Sequence, residues 1–333
     1  MPSEEPVNPI NQIDPLDHYE HFIPKPLPPP HGTLWVQVLL FALTLVSTTF
    51  AGGCHYYSFM TDLASADLPP IATPSAFDLF GSAPFYLHGL WYSLTILAIL
   101  GCHEMGHYVA CLRYDVIATR PFFLPAPVLT GTIGAFIRIK SRIPNKTALF
   151  DIGIAGPLAG FVVAVPALFV GLMLSRIDQL PKDSSTLIEL GEPLLFKFAA
   201  RLVWGHVADG YSINMHPMAF AAWFGLLATA LNLFPIAQLD GGHISYAVLG
   251  AKSTIVTFVM VGVAIFLATM SASWIVWTGL LITMIATLGP RHPPTLYDDE
   301  PLDAKRIWLA ALAMLILVLC FTPVPIGEFL PQR

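Results

Sequence analysis

The sequence predicts an all-α polytopic membrane protein with about seven transmembrane helices and a small membrane-associated β-hairpin. Of its 333 residues, 55% are hydrophobic and 11% are charged, whereas soluble proteins average roughly 25% charged residues. The apolar residues form uncharged blocks long enough to cross a bilayer, and one stretch, 132–141, alternates with a period of two. The net charge of −6 lies mostly in tails and loops. This net charge says little about binding partners. We expect the chain to lie in a lipid bilayer and to bind no nucleic acid.

The first third of the chain divides into a polar arm and two apolar spans. Residues 1–31 form an acidic, Pro-rich arm, and residues 32–84 hold the first transmembrane helix, predicted over 33–51, and a loop. That loop, 52–84, contains no Lys or Arg, so the positive-inside rule places it outside the cytoplasm. The second span is predicted over 85–111.

A basic segment follows the second span. Six cations lie within residues 113–146, the densest positive cluster in the chain, and the positive-inside rule makes this side cytoplasmic. Within the segment, the alternation over 132–141 predicts a β-strand, and 121–129 is expected to oppose it across a turn at 130–132. The alternative is an irregular basic loop. With the N-terminus inside, 11 Lys and Arg residues face the cytoplasm and 5 face the other side.

The remaining spans follow from uncharged blocks and their breaks. We expect the C-terminal helices and a tail over 251–333. The block 254–288 contains 35 uncharged residues, too many for one span, so we expect a helical hairpin broken near 271–273. The other predicted elements are a span over 152–174, a surface helix over 187–204, a fourth span over 218–239 and a last span over 307–321.

Charged and metal-binding side chains interrupt the second span near its end. An α-helix places residues i and i+4 on one face, so His103 and His107 can present ring nitrogens to one zinc ion. Glu104 lies about 100° further round the helix, where it can reach a water on that ion. This is the H-E-x-x-H arrangement of metalloproteases. Ionisable groups at membrane depth are costly unless paired or metal-bound, which favours a functional site over a helix end emerging into water.

A second group of polar residues closes the fourth span. Pro235 is expected to break the helix, and Asp240 then stands at the membrane boundary as the best candidate for a third zinc ligand. Asn232 is a candidate contact for the oxyanion or the substrate, or else it satisfies backbone freed by Pro235. His243 would share a helical face with Asp240 only if Gly241 and Gly242 continue the helix, so a hydrogen-bonding role is favoured over a metal role.

Two further features have structural interpretations. Gly156 and Gly160 form a small-xxx-small pair, which usually lets two membrane helices pack closely and needs no chemistry. The four cysteines show no C-x-x-C spacing, and Cys102 and Cys111 are expected to pack rather than bind metal.

Taken together, His103-Glu104-Met105-Gly106-His107 and the later Asn232-x-x-Pro235-x-x-x-x-Asp240-Gly241 resemble the site-2 protease family of intramembrane zinc metalloproteases. The stretch 121–160 also resembles bacterial members and their plastid relatives. The resemblance covers about residues 85–250 and implies that they form an intramembrane metalloprotease core. It implies one zinc ion per chain held by His103, His107 and Asp240, with Glu104 as the catalytic base.

The resemblance also implies a substrate and its docking surface. Family members are similar in cutting single-span membrane proteins in or near the membrane, and a membrane-inserted β-hairpin is thought to receive the substrate. The corresponding candidate docking strand here contains Gly131, Gly134, Ala135, Phe136 and Ile137. A bacterial cytoplasmic membrane, with the N-terminus and the active site on the cytoplasmic side, is expected. The alternative is a zinc transporter or a non-catalytic zinc-binding membrane protein, but neither requires a base beside its first ligand.

Overall fold

A computed structural model describes residues 34–61, 75–180 and 188–328, so the predicted acidic arm over 1–31 lies outside the described residues. The chain is mostly helical. The described elements are, in order, α1 (Leu34–Thr61), α2 (Ala76–Phe80), α3 (Ala83–Arg113), β1 (Phe122–Pro125), β2 (Thr132–Phe136), α4 (Lys146–Leu174), β3 (Arg176–Gln179), β4 (Ile188–Leu190), α5 (Leu194–Trp204), β5 (Tyr211–Asn214), α6 (Pro217–Leu233), α7 (Asp240–Leu249), α8 (Ser253–Ala268), α9 (Ala272–Leu288), α10 (Ala304–Cys320) and β6 (Ile326–Glu328).

Within the described residues, four helical segments are long and apolar enough to cross a membrane. They are α1, α3, α4 and the continuous run Asp240–Ala268, in which a 3₁₀ turn joins α7 to α8. The helices α6 and α9 are apolar but only 17 residues long, and α10 has the same length. Seven spans are therefore not confirmed and stay a prediction. The helical hairpin expected over 254–288 is confirmed, since α8 and α9 are separated by a break at 269–271.

Several predicted boundaries are wrong, each for a local reason. The helix α4 begins at Lys146 rather than at residue 152, because the side chain of Asn145 caps it by accepting a hydrogen bond from the Ala148 amide. The fourth predicted span, 218–239, is helical only to Leu233, because Pro235 breaks the helix as the sequence predicts. The surface helix expected from 187 begins only at Leu194, after strand β4 and Pro193.

The core lies between α3, α4 and α6, where Tyr92, Leu168 and Trp223 are fully buried. Large apolar side chains point outward from the surrounding helices, including Val46 on α1, Phe258 on α8 and Trp308 on α10. An outer surface of this kind is too apolar for a soluble monomer and suits contact with lipid.

The predicted β-hairpin is confirmed in a shorter form. Strands β1 and β2 pair antiparallel with Phe122 opposite Phe136 and Leu124 opposite Gly134, and an isolated bridge between Ala118 and Ile139 extends the pairing. Gly131 lies in the turn with φ +70°, a conformation that favours glycine.

The hairpin lies along the length of α1. The side chain of Gln37 donates to the Arg120 carbonyl at its base (2.9 Å), and Ser47 donates to the Gly131 carbonyl in its turn (2.7 Å). Beyond that, the His55 ring is bonded to the Leu129 carbonyl (2.9 Å). Because 18 residues separate Gln37 from His55, these contacts extend over about 27 Å of helix, close to the thickness of a bilayer core.

The all-α class needs one correction, because two further two-stranded antiparallel sheets are present in the described residues. Strand β3 pairs with β5, and β4 pairs with β6. They lie at the end of the bundle where α4 ends and α6 begins. Strands of three or four residues give too short an alternation to be distinguished from loop in the sequence.

Candidate metal centre

The two histidines of the sequence motif face the interior of the bundle from α3. His103 and His107 are both buried, at 6% and 7% exposure, and their Nε2 atoms lie 3.1 Å apart. One helical turn separates them, so the backbone geometry of α3 sets their spacing.

Asp240 reaches the same point from the break between α6 and α7. After Leu233 the chain turns through Ala237, whose φ is +43°, and Asp240 becomes the first residue of α7. The following glycines allow this tight path, because a Cβ atom at Gly241 would lie 2.0 Å from the Leu233 carbonyl oxygen. The helix continues through Gly241 and Gly242, contrary to the doubt that the sequence raised.

The three side chains form a nearly equilateral triangle of potential ligand atoms. Asp240 Oδ2 lies 3.2 Å from His103 Nε2 and 3.3 Å from His107 Nε2, beside the 3.1 Å between the imidazoles. Tetrahedral zinc with zinc–ligand bonds of about 2.0 Å requires its ligand atoms to lie about 3.3 Å apart. The donor set and its dimensions therefore fit zinc, with a fourth corner left for water or substrate. Within the described residues, these three side chains form the one group of His, Cys, Asp and Glu residues that could hold a metal ion.

The helix α4 orients His107 within this triangle. The Nδ1 atom of His107 lies 2.7 Å from the Ile152 carbonyl oxygen, so we assign the proton to Nδ1 and leave the Nε2 lone pair free for metal. The same helix offers Gly156 against the ring, where a Cβ atom would lie 2.1 Å from His107 Nε2. A Cβ at Gly160 would lie 3.2 Å from that of His103.

The purely structural role predicted for the glycine pair is therefore incomplete. Their small size admits both imidazoles as well as the close approach of two helices. The spacing of Gly156 and Gly160 predicted a close contact, but it could not predict that the two imidazoles are the groups in contact.

Glu104 and Asn232 lie beside the triangle, as the sequence predicts. Glu104 is 8% exposed, and its carboxylate accepts a hydrogen bond from the Ile137 backbone amide. The Asn232 side-chain nitrogen lies 3.4 Å from His103 Nε2. A carboxylate, a side-chain amide and three potential metal ligands thus converge on one point.

The candidate docking residues separate into two groups. Ala135 and Phe136 lie in β2, and Ile137 follows them beside Glu104. Gly134 has φ +129° within the strand. Gly131 lies away from the centre in the hairpin turn, where a Cβ atom would lie 2.6 Å from Thr48 Cα of α1. Gly131 thus fixes the turn and makes no contact with the metal triangle.

A loop before α10 covers the same end of the bundle, and no sequence pattern predicted its role. His243 Nδ1 lies 2.7 Å from His292 Nε2, and His292 Nδ1 lies 2.6 Å from the Pro293 carbonyl. Burial holds the pKa of His292 below its usual value, although the Pro293 carbonyl and Asp298 act in the opposite direction. We therefore assign a neutral His292 that donates to Pro293 and accepts from His243.

Asp298 ties this loop to two helices. It accepts hydrogen bonds from Thr295 (2.8 Å) and from Tyr246 of α7 (3.0 Å), and Lys146 of α4 lies 3.6 Å away. Burial alone would raise the pKa of Asp298, but these hydrogen bonds and the lysine charge hold it below its usual value.

A second ionic cluster joins α3, α4 and α10. Arg306 donates two hydrogen bonds to Asp151, at 2.6 and 2.8 Å, and Tyr114 donates to the same carboxylate. Burial and the hydrogen bond to Asp151 raise the pKa of Tyr114. The helices that carry the metal triangle are thus cross-linked at one end, which we call the metal end. The opposite end, where α6 begins, we call the far end.

Comparison with known proteins identifies a family and several relatives. The model described as peptidase family M50 matches residues 91–271, which include all three members of the triangle. The chain is 31% identical over 314 residues to a protein of Oryza sativa subsp. japonica named probable zinc metalloprotease EGY1, chloroplastic, covering 90% of this chain and 52% of that protein. The Arabidopsis thaliana protein of the same name is 30% identical, with 88% and 54% covered.

A third relative is probable zinc metalloprotease EGY2, chloroplastic, of Arabidopsis thaliana, which is 28% identical over 85% of this chain and 50% of its own length. The chain spans about half the length of these curated relatives. Their names place them in the chloroplast, so they lend no support to the predicted bacterial membrane. No solved structure matches the chain.

Proposed function

The chain belongs to peptidase family M50, and from that membership we propose that it is an intramembrane zinc metalloprotease. It hydrolyses a peptide bond in or near the transmembrane segment of a membrane protein. One observation carries this proposal, namely that buried His103 and His107 and partly buried Asp240 form a triangle with tetrahedral dimensions and a carboxylate beside it.

Each polar side chain at the centre has a distinct task in this reaction. His103, His107 and Asp240 would hold one zinc ion, and when bound it supplies Lewis acidity and lowers the pKa of water to about 7. Glu104 takes a proton from the attacking water and delivers it to the leaving amine. The amide of Asn232 donates a hydrogen bond to the oxygen that gains charge in the transition state. The buried setting strengthens these interactions by excluding bulk water.

A helical substrate must unwind before this site can cut it. In a helix the scissile carbonyl is bonded to an amide four residues on, and in lipid no water replaces that bond. The outer edge of β2 supplies replacement partners. Because the Ile137 amide points to Glu104 and strand amides alternate in direction, the amide of Ala135 lies on the same edge. An unwound substrate added as a strand there lies directly beside the base.

The orientation in the membrane is also proposed. The basic residues between 113 and 146 favour a metal end on the cytoplasmic side of a bacterial membrane or on its equivalent in an organelle. Reporter fusions at residues 81–82, between α2 and α3, and at residues 138–146 test this. Labelling of the first from outside and of the second from inside is expected, and the opposite pattern refutes the orientation.

The proposal is tested by incubating the purified full chain with a panel of tagged single-span membrane proteins. We expect at least one to be cleaved within or beside its transmembrane segment, and a zinc chelator should stop the cleavage. A zinc-loaded chain that cleaves none of them, but moves zinc across sealed vesicles, overturns the protease and favours a transporter.

A further inference from the structure

A cavity of about 630 Å³ opens at the far end of the bundle. It lies within the range of roughly 300–1,000 Å³ typical of ligand sites. Its walls come from the end of α1, the hairpin turn, β4, α5, β5 and the start of α6. Phe220 and Trp223 form part of an apolar wall, whereas Glu189 and Glu192 add carboxylates.

Two strand edges without a partner among the described residues line this cavity. The bond from the Leu180 amide to the Gly210 carbonyl (2.8 Å) sets the β3–β5 ladder, so the amide and carbonyl of Ile213 point away from β3. The bond from the Gly191 amide to the Pro325 carbonyl (2.9 Å) sets the β4–β6 ladder in the same way. The amide and carbonyl of Leu190 therefore point away from β6.

Ile213 and Leu190 both line the cavity. Such edges are ready to accept an added strand. The cavity therefore offers main-chain hydrogen bonds on two walls, which suits an extended peptide better than a compact small molecule.

The cavity is continuous with the proposed docking hairpin. Leu129 of the hairpin turn lines it, and the His55 ring that binds the Leu129 carbonyl lines it as well. A substrate that follows the outer edge of β2 from Glu104 toward the turn thus arrives at this cavity. Phe220 lies twelve residues before Asn232 on α6, about 18 Å along the helix axis.

We propose that this far-end cavity binds, as an added β-strand, the extended segment of the substrate that flanks its transmembrane helix. The inference rests on the proposed function. Lys197 lies 4.0 Å from Glu192 and balances its charge. Glu189 therefore leaves the described walls of the cavity with one unbalanced negative charge. A neutral or cationic flank is therefore favoured over an acidic one.

Photocross-linking in the inactive Glu104→Gln chain tests the location of the flank. A benzophenone amino acid replaces Ile213, and the matched control replaces Phe198, which is 59% exposed on α5 and outside the cavity. The probe is a tagged single-span protein that the wild-type chain cleaves. We expect adducts from position 213 and none from position 198. On the probe, the cross-linked residue should lie about six residues from the cleaved bond if the intervening segment is extended, and about twelve if it is helical.

The outcomes separate this inference from the proposed function. A cleaved probe without an adduct at position 213, or with adducts only at the residues beside the cleaved bond, overturns the cavity proposal and leaves the protease intact. A zinc-loaded chain that cleaves no probe and moves zinc across sealed vesicles overturns both.

A kinetic comparison provides the second test. Ile213→Pro removes the edge amide, whereas Ile213→Val keeps it. For a probe with its far-end flank, we expect Ile213→Pro to raise KM about three- to ten-fold, the effect of a lost hydrogen bond or two. Neither variant should change KM for the same probe with the flank deleted. An equal effect on both probes would indicate a structural role and overturn the proposal.

Discussion

The backbone of Gly156 lies directly against the imidazole of His107. A Cβ atom at that position would lie 2.1 Å from Nε2 and 2.5 Å from both neighbouring ring carbons. Because α4 also accepts the Nδ1 proton of His107 through the Ile152 carbonyl, one short stretch of α4 sets both the space and the direction of this proposed ligand.

Substitution of Gly156 by alanine should therefore impair metal binding. The ring of His107 must shift, and we expect zinc affinity to fall about ten-fold or more, as for other changes around metal ligands. Competition with a chromogenic chelator measures it. Gly262→Ala is the matched control, since nothing lies within 4 Å of a Cβ there. Equal affinity in the two variants would show that the ring does not need this space.

Asp240→Ala should lower zinc occupancy and activity together. Two imidazoles alone form a weak and incomplete site. Elemental analysis of the purified chain gives the occupancy, and circular dichroism checks that the helices persist. Unchanged metal content removes Asp240 from the proposed ligands.

Ala135→Pro should reduce cleavage about ten-fold or more while zinc content stays constant, because it removes an amide from the outer edge of β2. Ala135→Val keeps that amide and serves as the control. Cleavage of one tagged probe by both variants provides the comparison. Full activity of Ala135→Pro would contradict the proposal that the substrate docks on β2, and would indicate that the hairpin has only a structural role.

Stability should depend on pH through Asp298. Its pKa is lower in the folded chain than the ordinary value of about 3.9. Its contribution to folding is therefore present above about pH 4 and is lost as pH falls through the folded-state pKa. At pH 7 we expect Asp298→Asn to melt below the wild type, and the difference should shrink below pH 4. A difference that persists there would contradict the ionic role.

The sequence predicted the parts of the site that depend on local geometry. His103, Glu104 and His107 fall within one helical turn, so the periodicity of α3 alone determines how they are arranged. The position of Asp240 needed only a helix break, for which Pro235 is a strong signal. The hairpin was visible because its alternation over 132–141 persists beyond the short strand β2.

Other contacts could not be predicted, because they join segments that are far apart in sequence. His292 meets His243 across 49 residues, and Arg306 meets Asp151 across 155. The role of Gly156 depends on how closely α4 approaches α3, which residue spacing does not give. The strands β3 to β6 are too short for a periodic signal, so the far-end cavity that they line could not be predicted from the sequence.

The most direct test of the proposed mechanism compares Glu104→Gln with the wild type in the same detergent preparation. The variant keeps His103, His107 and Asp240 and loses only the base, so we expect equal zinc content and cleavage lower by about 10²- to 10⁴-fold. Zinc per chain and the rate of probe cleavage are measured on the same samples. Full cleavage by the Glu104→Gln chain would contradict the assignment of Glu104 as the catalytic base and, with it, the proposed protease mechanism.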